Sequence, residues 1–388
     1  MKSDLRAGRY VRQLEGYRAF EPAVLPPEPP IDYTSDLIGR LSLADTAVGR
    51  LDGLARTLPD AELFLAMYVR QEALLSSRIE GTECTMDDVL AFELLTEGEP
   101  TLDVGEVVNY VAALKHGVER LTELPLCNRL LREVHGVLLR SGRGHDKSPG
   151  EFRRTQNWIG PGGCTLTTAS FVPPPPHVMS DAMSELEKYI NGAPAPLLIA
   201  AGLAHAQFET VHPFLGGNGR TGRLMIGLFL HERQVLTRPV LYLSTYLKRH
   251  QAAYFERLTA VRADGDWEGW LSFFLDGVQE SATSAAVTAE AIHQLREADR
   301  TKIVTVGGVG YDIAVLDQLF SQPLVNANWV ERVLGVTTTT ANKVLDRFCS
   351  ANILRETTGN RRNRLYRYDE YVNLFETTDA IEHDHTHG

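Results

Sequence analysis

At 388 residues, 43% of them hydrophobic, the chain is long enough for two or three domains and can bury a sizeable core, which excludes an intrinsically disordered protein. A formal net charge of −11 excludes a surface that is basic throughout, so any contact with nucleic acid has to be local. Cys84, Cys127, Cys164 and Cys349 are far apart with no CxxC spacing; this suggests neither a zinc site nor a disulfide framework and fits a reducing compartment. No apolar run approaches the roughly 18 to 20 residues of a membrane span. The amino terminus MKSDLRAGRY lacks the apolar core of a signal peptide, so the expectation is a cytoplasmic protein with no membrane partner.

The opening segment, through FEPAVLPPEPPIDY, is rich in proline and reads as an extended arm. From Ser35 the spacing of leucines and alanines predicts helices over SDLIGRLSLADTAVGRLDGLARTL and ELFLAMYVRQEALLSSRIEG, read as an antiparallel pair. VGEVVNYVAALKHGVERL and CNRLLREVHGVLLRS continue the helical theme. In SPGEFRRTQNWIGPGGCTLTTASFVPPPP, Gly-Pro-Gly-Gly separates two β-prone runs, which predicts a hairpin whose second strand is Leu166 to Val172, an edge strand ended by prolines. Helices resume with MSDAMSELEKYI, PLLIAAGLAHAQFETVHPF, LMIGLFLHERQ, YLKRHQAAYFERLTAVR and a last one from Trp267 to Leu295. Past Thr301 short elements follow: two short helices, a third that begins at a Thr-rich cap, and a basic hairpin, GNRRNRLYR. That order is the pattern of a winged helix-turn-helix. The tail EHDHTHG reads as a mobile polar end.

VHPFLGGNGRTGR, between two apolar helices, carries the strongest chemical signal. The free N–H groups and dipole of the second helix's N-terminus favour an anion, and Gly216, Gly217 and Gly219 let that backbone approach a phosphate. Arg220 and Arg223 add fixed charge suited to phosphate oxygens. His212, at the loop's entrance, is the candidate base for an attacking hydroxyl.

HPFLGGNGRTGR resembles the signature of the Fic family, His-Pro-Phe-x-acidic-Gly-Asn-Gly-Arg-x-x-Arg, and the resemblance extends over most of residues 30 to 280. It implies a mainly α fold, a Fic-type helical core with a β-hairpin flap, and a C-terminal winged helix. The implied activity is transfer of AMP from ATP, accompanied by Mg2+, to a Ser, Thr or Tyr hydroxyl of a target protein, with the flap offering an edge for the target's extended segment. His212 is then the base; Phe214 anchors the loop; Gly216, Gly217, Asn218, Gly219 and Arg220 belong to the nucleotide site. Arg223 holds the γ-phosphate, and Tyr246 is a further candidate for the nucleotide pocket. Gly216 departs from the pattern, because an acidic residue normally holds the metal there; Glu209, one turn before His212, is the substitute considered, and no metal ligand is assigned.

A second stretch, LLSSRIEGT, can be read as a plain helix C-cap at Gly81 with Glu80 exposed. It also resembles the family's inhibitory motif, matched by Ser76, Glu80 and Gly81, which implies that Glu80 pairs with Arg223 and keeps ATP unproductive. Between Arg332 and Tyr368 the basic residues Arg332, Lys343, Arg347, Arg355, Arg361, Arg362, Arg364 and Arg367 face only Asp346 and Glu356, a local positive segment suited to DNA or to a protein partner. The expected organisation is an N-terminal arm and inhibitory helices over 1–100, a catalytic core over 101–295, a winged helix over 305–376 and a tail over 377–388, with a homodimer implied by the family. Two functions stand: an autoinhibited adenylyltransferase, and a nucleotide-sensing DNA-binding regulator.

Overall fold

The computed structural model describes residues 6–57, 61–95, 99–192, 196–308 and 310–376. The histidines of the tail, His383, His385 and His387, lie outside the described residues. The expected extended arm instead opens with a hairpin, β1 (Gly8–Arg12) antiparallel to β2 (Arg18–Pro22), in register from Gly8↔Pro22 to Arg12↔Arg18. Helices α1 (Ser35–Thr57), α2 (Ala61–Ile79), α3 (Met86–Leu95), α4 (Leu102–Arg120) and α5 (Asn128–Leu138) follow. Thr101 starts α4 by accepting the Val104 N–H at 3.3 Å, satisfying one of the helix's free donors.

The segment after α5 was expected to form a hairpin, and it is pinched at a single bridge. Ile159 and Phe171 exchange both backbone hydrogen bonds, at 2.8 and 3.0 Å. The strand predicted from Leu166 does not form, because the hydroxyls of Thr165, Thr167 and Thr168 bond one another and the local backbone, drawing that stretch into a turn. Phe20 N of β2 donates to Val172 O at 2.9 Å, so the N-terminal hairpin lies against the flap's return.

The core is built from α6 (Pro176–Gly192), α7 (Leu197–Val211), α8 (Asn218–Glu232), α9 (Ser244–Arg249), α10 (Gln251–Asp264) and α11 (Trp267–Thr305). Every residue of α7 from Leu198 to Val211 is buried, as befits a helix apolar on all faces, and α6, α8, α10 and α11 pack around it. Helices α1 and α2 do not form the expected pair: α1 lies along α11, whereas α2 lies against α4 and α9. The apolar stripe of each is satisfied by the core before it can be satisfied by its sequence neighbour. Helix α11 is 39 residues long, capped by Asp266, and runs through the expected boundary at 295 without a break.

Beyond it come α12 (Gly310–Leu319), β3 (Leu324–Val325), α13 (Ala327–Leu334), α14 (Thr338–Ser350), β4 (Arg355–Glu356), β5 (Tyr366–Arg367) and α15 (Asp369–Glu376). Strands β3, β5 and β4 pair antiparallel in that order. Asn326 caps α13, whose other end closes at Gly335 with φ 65°, a left-handed conformation that glycine adopts without strain. This unit is fastened to the helical core: Arg70 donates to Ser321 O at 2.9 Å and Arg367 pairs with Asp87 at 2.8 Å.

Candidate functional site

The site is the joint between α7 and α8. His212 ends α7 in the left-handed region, φ 48°, which a side chain bearing a Cβ enters only at a cost of roughly 1–3 kcal/mol. The surrounding hydrogen bonds hold it there. Arg153 of the flap, buried, donates from Nε to His212 O at 2.9 Å and from Nη2 to Pro174 O at 2.5 Å. Asn157 Nδ2 donates to the carbonyls of His212 and Phe214 at 3.1 and 2.9 Å. Burial, reinforced by the charge of Arg153, lowers the His212 imidazole to about 4. It is therefore neutral at ordinary pH and able to accept a proton.

The side chains of Phe214, read as the loop's anchor, and of Asn218, read as part of the nucleotide site, are both taken up in bracing the loop. Phe214 is fully buried and stacks on His135, ring centroids 3.7 Å apart and 5° from parallel. Asn218 accepts the Phe214 N–H through Oδ1 and donates through Nδ2 to Phe214 O, both at 2.8 Å, so both ends of its amide brace the loop rather than face a ligand. Tyr246 lies elsewhere: it packs on Gly277 of α11 and beside His250 and Phe273, and lines a cavity with Tyr68, Arg249 and Glu280. Its bulk is what α9 and α11 need at that contact.

Gly217 begins α8 at φ 73°, and a side chain there would also meet Leu139 at 3.3 Å. Arg220 and Arg223 are both buried. Arg220 lies 3.4 Å from Glu106, and its Nε and Nη1 have no hydrogen-bond partner. Nη1 is the atom that faces the Glu106 carboxylate, which leaves the buried Nε as the donor an anion could take. Arg223 is engaged by the end of α2: Nε donates to Ser76 Oγ, and Nη2 donates to Ser76 O and Glu80 Oε1, each at 2.8 Å. The Glu80 carboxylate thus sits over the N-terminus of α8, where a Cβ added to Gly219 would lie 2.2 Å from its Oε1. Desolvation raises the Glu80 acid, but the Arg223 charge and hydrogen bond, with Arg220 and His212 behind them, hold it below the usual carboxylate range. Gly81 ends the Ser76–Gly81 stretch at φ 91°, and its carbonyl accepts from Arg143 at 3.3 Å.

Residues that sequence reasoning missed complete the frame. Thr82 Oγ1 and Arg143 Nε donate to the two oxygens of Glu106, each at 2.7 Å, tying the end of α2 to α4. His135 Nδ1 accepts the Gly150 N–H and Nε2 donates to Gly216 O, both at 2.9 Å, which fixes the neutral tautomer that carries its proton on Nε2; burial lowers this imidazole to about 4. Arg153 and Asn157 lie in FRRTQNWIG, inside the stretch that the resemblance covers, whereas nothing local marks His135. Glu209, the substitute considered for the missing acid at 216, is buried beneath α8 with Oε1 where a Cβ on Gly222 would fall, 2.6 Å away; burial raises it to about 7. It is no metal ligand at Gly216.

The Fic/DOC family N-terminal model matches residues 38–119 and the Fic/DOC family model matches 125–230. The chain is 25% identical over 211 residues to protein adenylyltransferase Fic of Drosophila grimshawi and 28% identical over 206 residues to that of Culex quinquefasciatus, spanning 52% and 51% of this chain. It covers only 40% and 38% of those relatives' own length. Among solved structures, a Fic family protein from Desulfovibrio desulfuricans matches with TM-score 0.55 at 20% identity, over 88% of this chain and 98% of that one. A Fic domain containing signaling protein from Bacteroides thetaiotaomicron matches with TM-score 0.50 at 20% identity, over 66% and 97%. These likenesses show the helical fold.

Proposed function

We propose, for a chain that belongs to the Fic/DOC family, an autoinhibited protein adenylyltransferase that moves AMP from ATP to a hydroxyl side chain of a target protein and of itself. The observation that carries this reading is the Glu80 carboxylate bonded to Arg223 above the N-terminus of α8, an anion already seated in a phosphate site. In the productive state ATP's phosphates take the N–H groups of α8 and the Nε donor of Arg220, and the γ-phosphate takes Arg223 from Glu80. Neutral His212 removes the proton of the attacking hydroxyl as its oxygen bonds the α-phosphorus, and the bond from that phosphorus to the bridging oxygen breaks to release pyrophosphate. The Mg2+ implied by the family does not fit the residues present: Gly216 has no ligand atom in its side chain, and among the described residues no group of three or more His, Cys, Asp or Glu is placed to hold a metal. No step is therefore assigned to it.

ATP labelled at the α-phosphate tests the reading. Label retained on the protein after denaturation, with none from γ-labelled ATP, supports AMP transfer; γ-label would mean phosphoryl transfer, and no label in wild type and Glu80→Gly alike would set the activity aside.

A second reading, regulation through DNA, rests on the C-terminal unit, whose helices and short antiparallel sheet follow the order of a winged helix. Arg347, Arg355 and Arg367 are taken up by Asp312 and Asp369. Arg332, Arg361, Arg362 and Arg364 line a cavity of about 590 Å3 with Asn342 and Trp329, and make no ion pair among the described residues.

A further inference from the structure

The position where the family pattern carries a metal-binding acid is occupied differently here. Gly216 has open space on its outer face except for one side chain: a Cβ built there would lie 3.6 Å from Cγ and 3.8 Å from Cβ of Lys147. The aliphatic stem of Lys147 thus runs along the glycine, and its ammonium, on a side chain half exposed, meets only the exposed Asp146 at 3.4 Å. The loop that carries it is held at both ends by the site itself. Arg143 is bonded to Glu106 and Thr82, and the Gly150 N–H is bonded to His135, which in turn donates to Gly216 O. His135 therefore sets the distance between the lysine's loop and the anion loop. Lys147 N also donates to Gly144 O at 2.9 Å, closing a turn that fixes where the side chain departs.

We infer that Lys147 is a phosphate-binding residue that supplies, as a fixed protein cation, the charge for which the family pattern provides a metal ligand. The inference rests on the nucleotide reading of the site above. An ammonium on a flexible stem can neutralise one or two phosphate oxygens as a point charge, and unlike a divalent ion it needs no carboxylate beside it. A glycine at 216 leaves such a lysine unopposed: a side chain there would be in ordinary contact with its stem, but a carboxylate would pair with its head. Arg220 of α8 and Lys147 beside Gly216 then bring positive charge to the same loop from two separate segments.

The test is calorimetric binding of ATP and of adenosine to the full chain, in EDTA and in excess MgCl2. Wild type is expected to bind ATP within about threefold of the same affinity in both buffers. Lys147→Met should lose about tenfold for ATP in EDTA and nothing for adenosine, because only the phosphates see the charge. Lys147→Arg keeps the charge and should stay within about threefold of wild type, which separates lost charge from a disturbed loop. Wild-type ATP binding that vanishes in EDTA overturns the inference and leaves the nucleotide reading standing, as does Lys147→Met binding ATP like wild type. No ATP binding in either buffer overturns both.

Discussion

At the scale of single residues, the proposed mechanism assigns the proton transfer to His212 as a neutral imidazole. Its pKa of about 4 places the free base in excess at all pH values above 5, so transfer is expected to be flat from pH 6 to 8 and to fall only as pH drops toward 4. His212→Ala should lose nearly all transfer while ATP binding and thermal stability stay close to wild type, because the base acts in the chemical step; transfer that survives undiminished removes His212 from the mechanism. Stability has its own pH dependence. His135, His205 and His212 are all held below their ordinary 6.5, at about 4, 3 and 4, by burial. Below 6.5 the unfolded chain takes up protons that these native imidazoles refuse, so their contribution is fully present above about 6.5 and is lost as pH falls toward 4. Glu209 works the other way: raised from 4.5 to about 7, it loses stability as pH rises between those values. Glu72 and Asp45, also raised by burial, act in the same sense as Glu209, so the imidazole contribution is isolated by difference: His135→Gln should lessen any fall of the urea midpoint on acidification from pH 6.5 to 4.5 by about a third of the imidazole slope.

Helices and their contacts decide how much of this the sequence makes legible. Gly202 of α7 is where α11 comes closest: a Cβ there would lie 2.9 Å from Phe274 and 3.0 Å from Leu271, and Trp270 Nε1 donates to Gly202 O at 2.8 Å. Gly202→Ala should cost about 1–3 kcal/mol of unfolding free energy by overpacking, read from urea unfolding; an unchanged midpoint would mean that the helices slide apart freely. The anion loop was legible because Gly217, Arg220 and Arg223 are residue types that only a close-approach, charged turn needs. Long apolar-periodic helices were legible for the same reason. What was not legible depends on contacts distant in sequence: α1 chose α11 over α2, and α3, short and apolar with no clear stripe, was passed over. His135 and Glu106 look like ordinary helix residues until the fold brings them against Gly216 and Arg220. Phe214 was legible as the loop's anchor from the motif, whereas the pattern did not show that the Asn218 side chain braces the loop at Phe214.

For the whole molecule, the question is how three separated segments act as one device. The end of α2, the loop from 142 to 150 and the start of α8 meet at Glu106, Arg220 and Arg223, while α11 continues into a C-terminal unit with its own positive surface. If that surface grips DNA, mobility-shift titrations should show a steep salt dependence, and Arg361→Ala, Arg362→Ala and Arg364→Ala together should reduce the slope by about 2 to 3; an unchanged slope assigns the unit to a protein partner. The central claim concerns the plug. On the proposed reading, loss of Glu80 would free Arg223 for the γ-phosphate, and because misplacement of reacting atoms by about 1 Å can cost on the order of a hundredfold in rate, the gain should appear in transfer far more than in ATP affinity. The measurement is the rate of self-modification from α-labelled ATP at saturation in wild type, Glu80→Gly and Glu80→Gly with Arg223→Ala. The account predicts a large rise in the single variant that the second substitution erases; a rate unchanged by Glu80→Gly, or a gain that persists without Arg223, would contradict it.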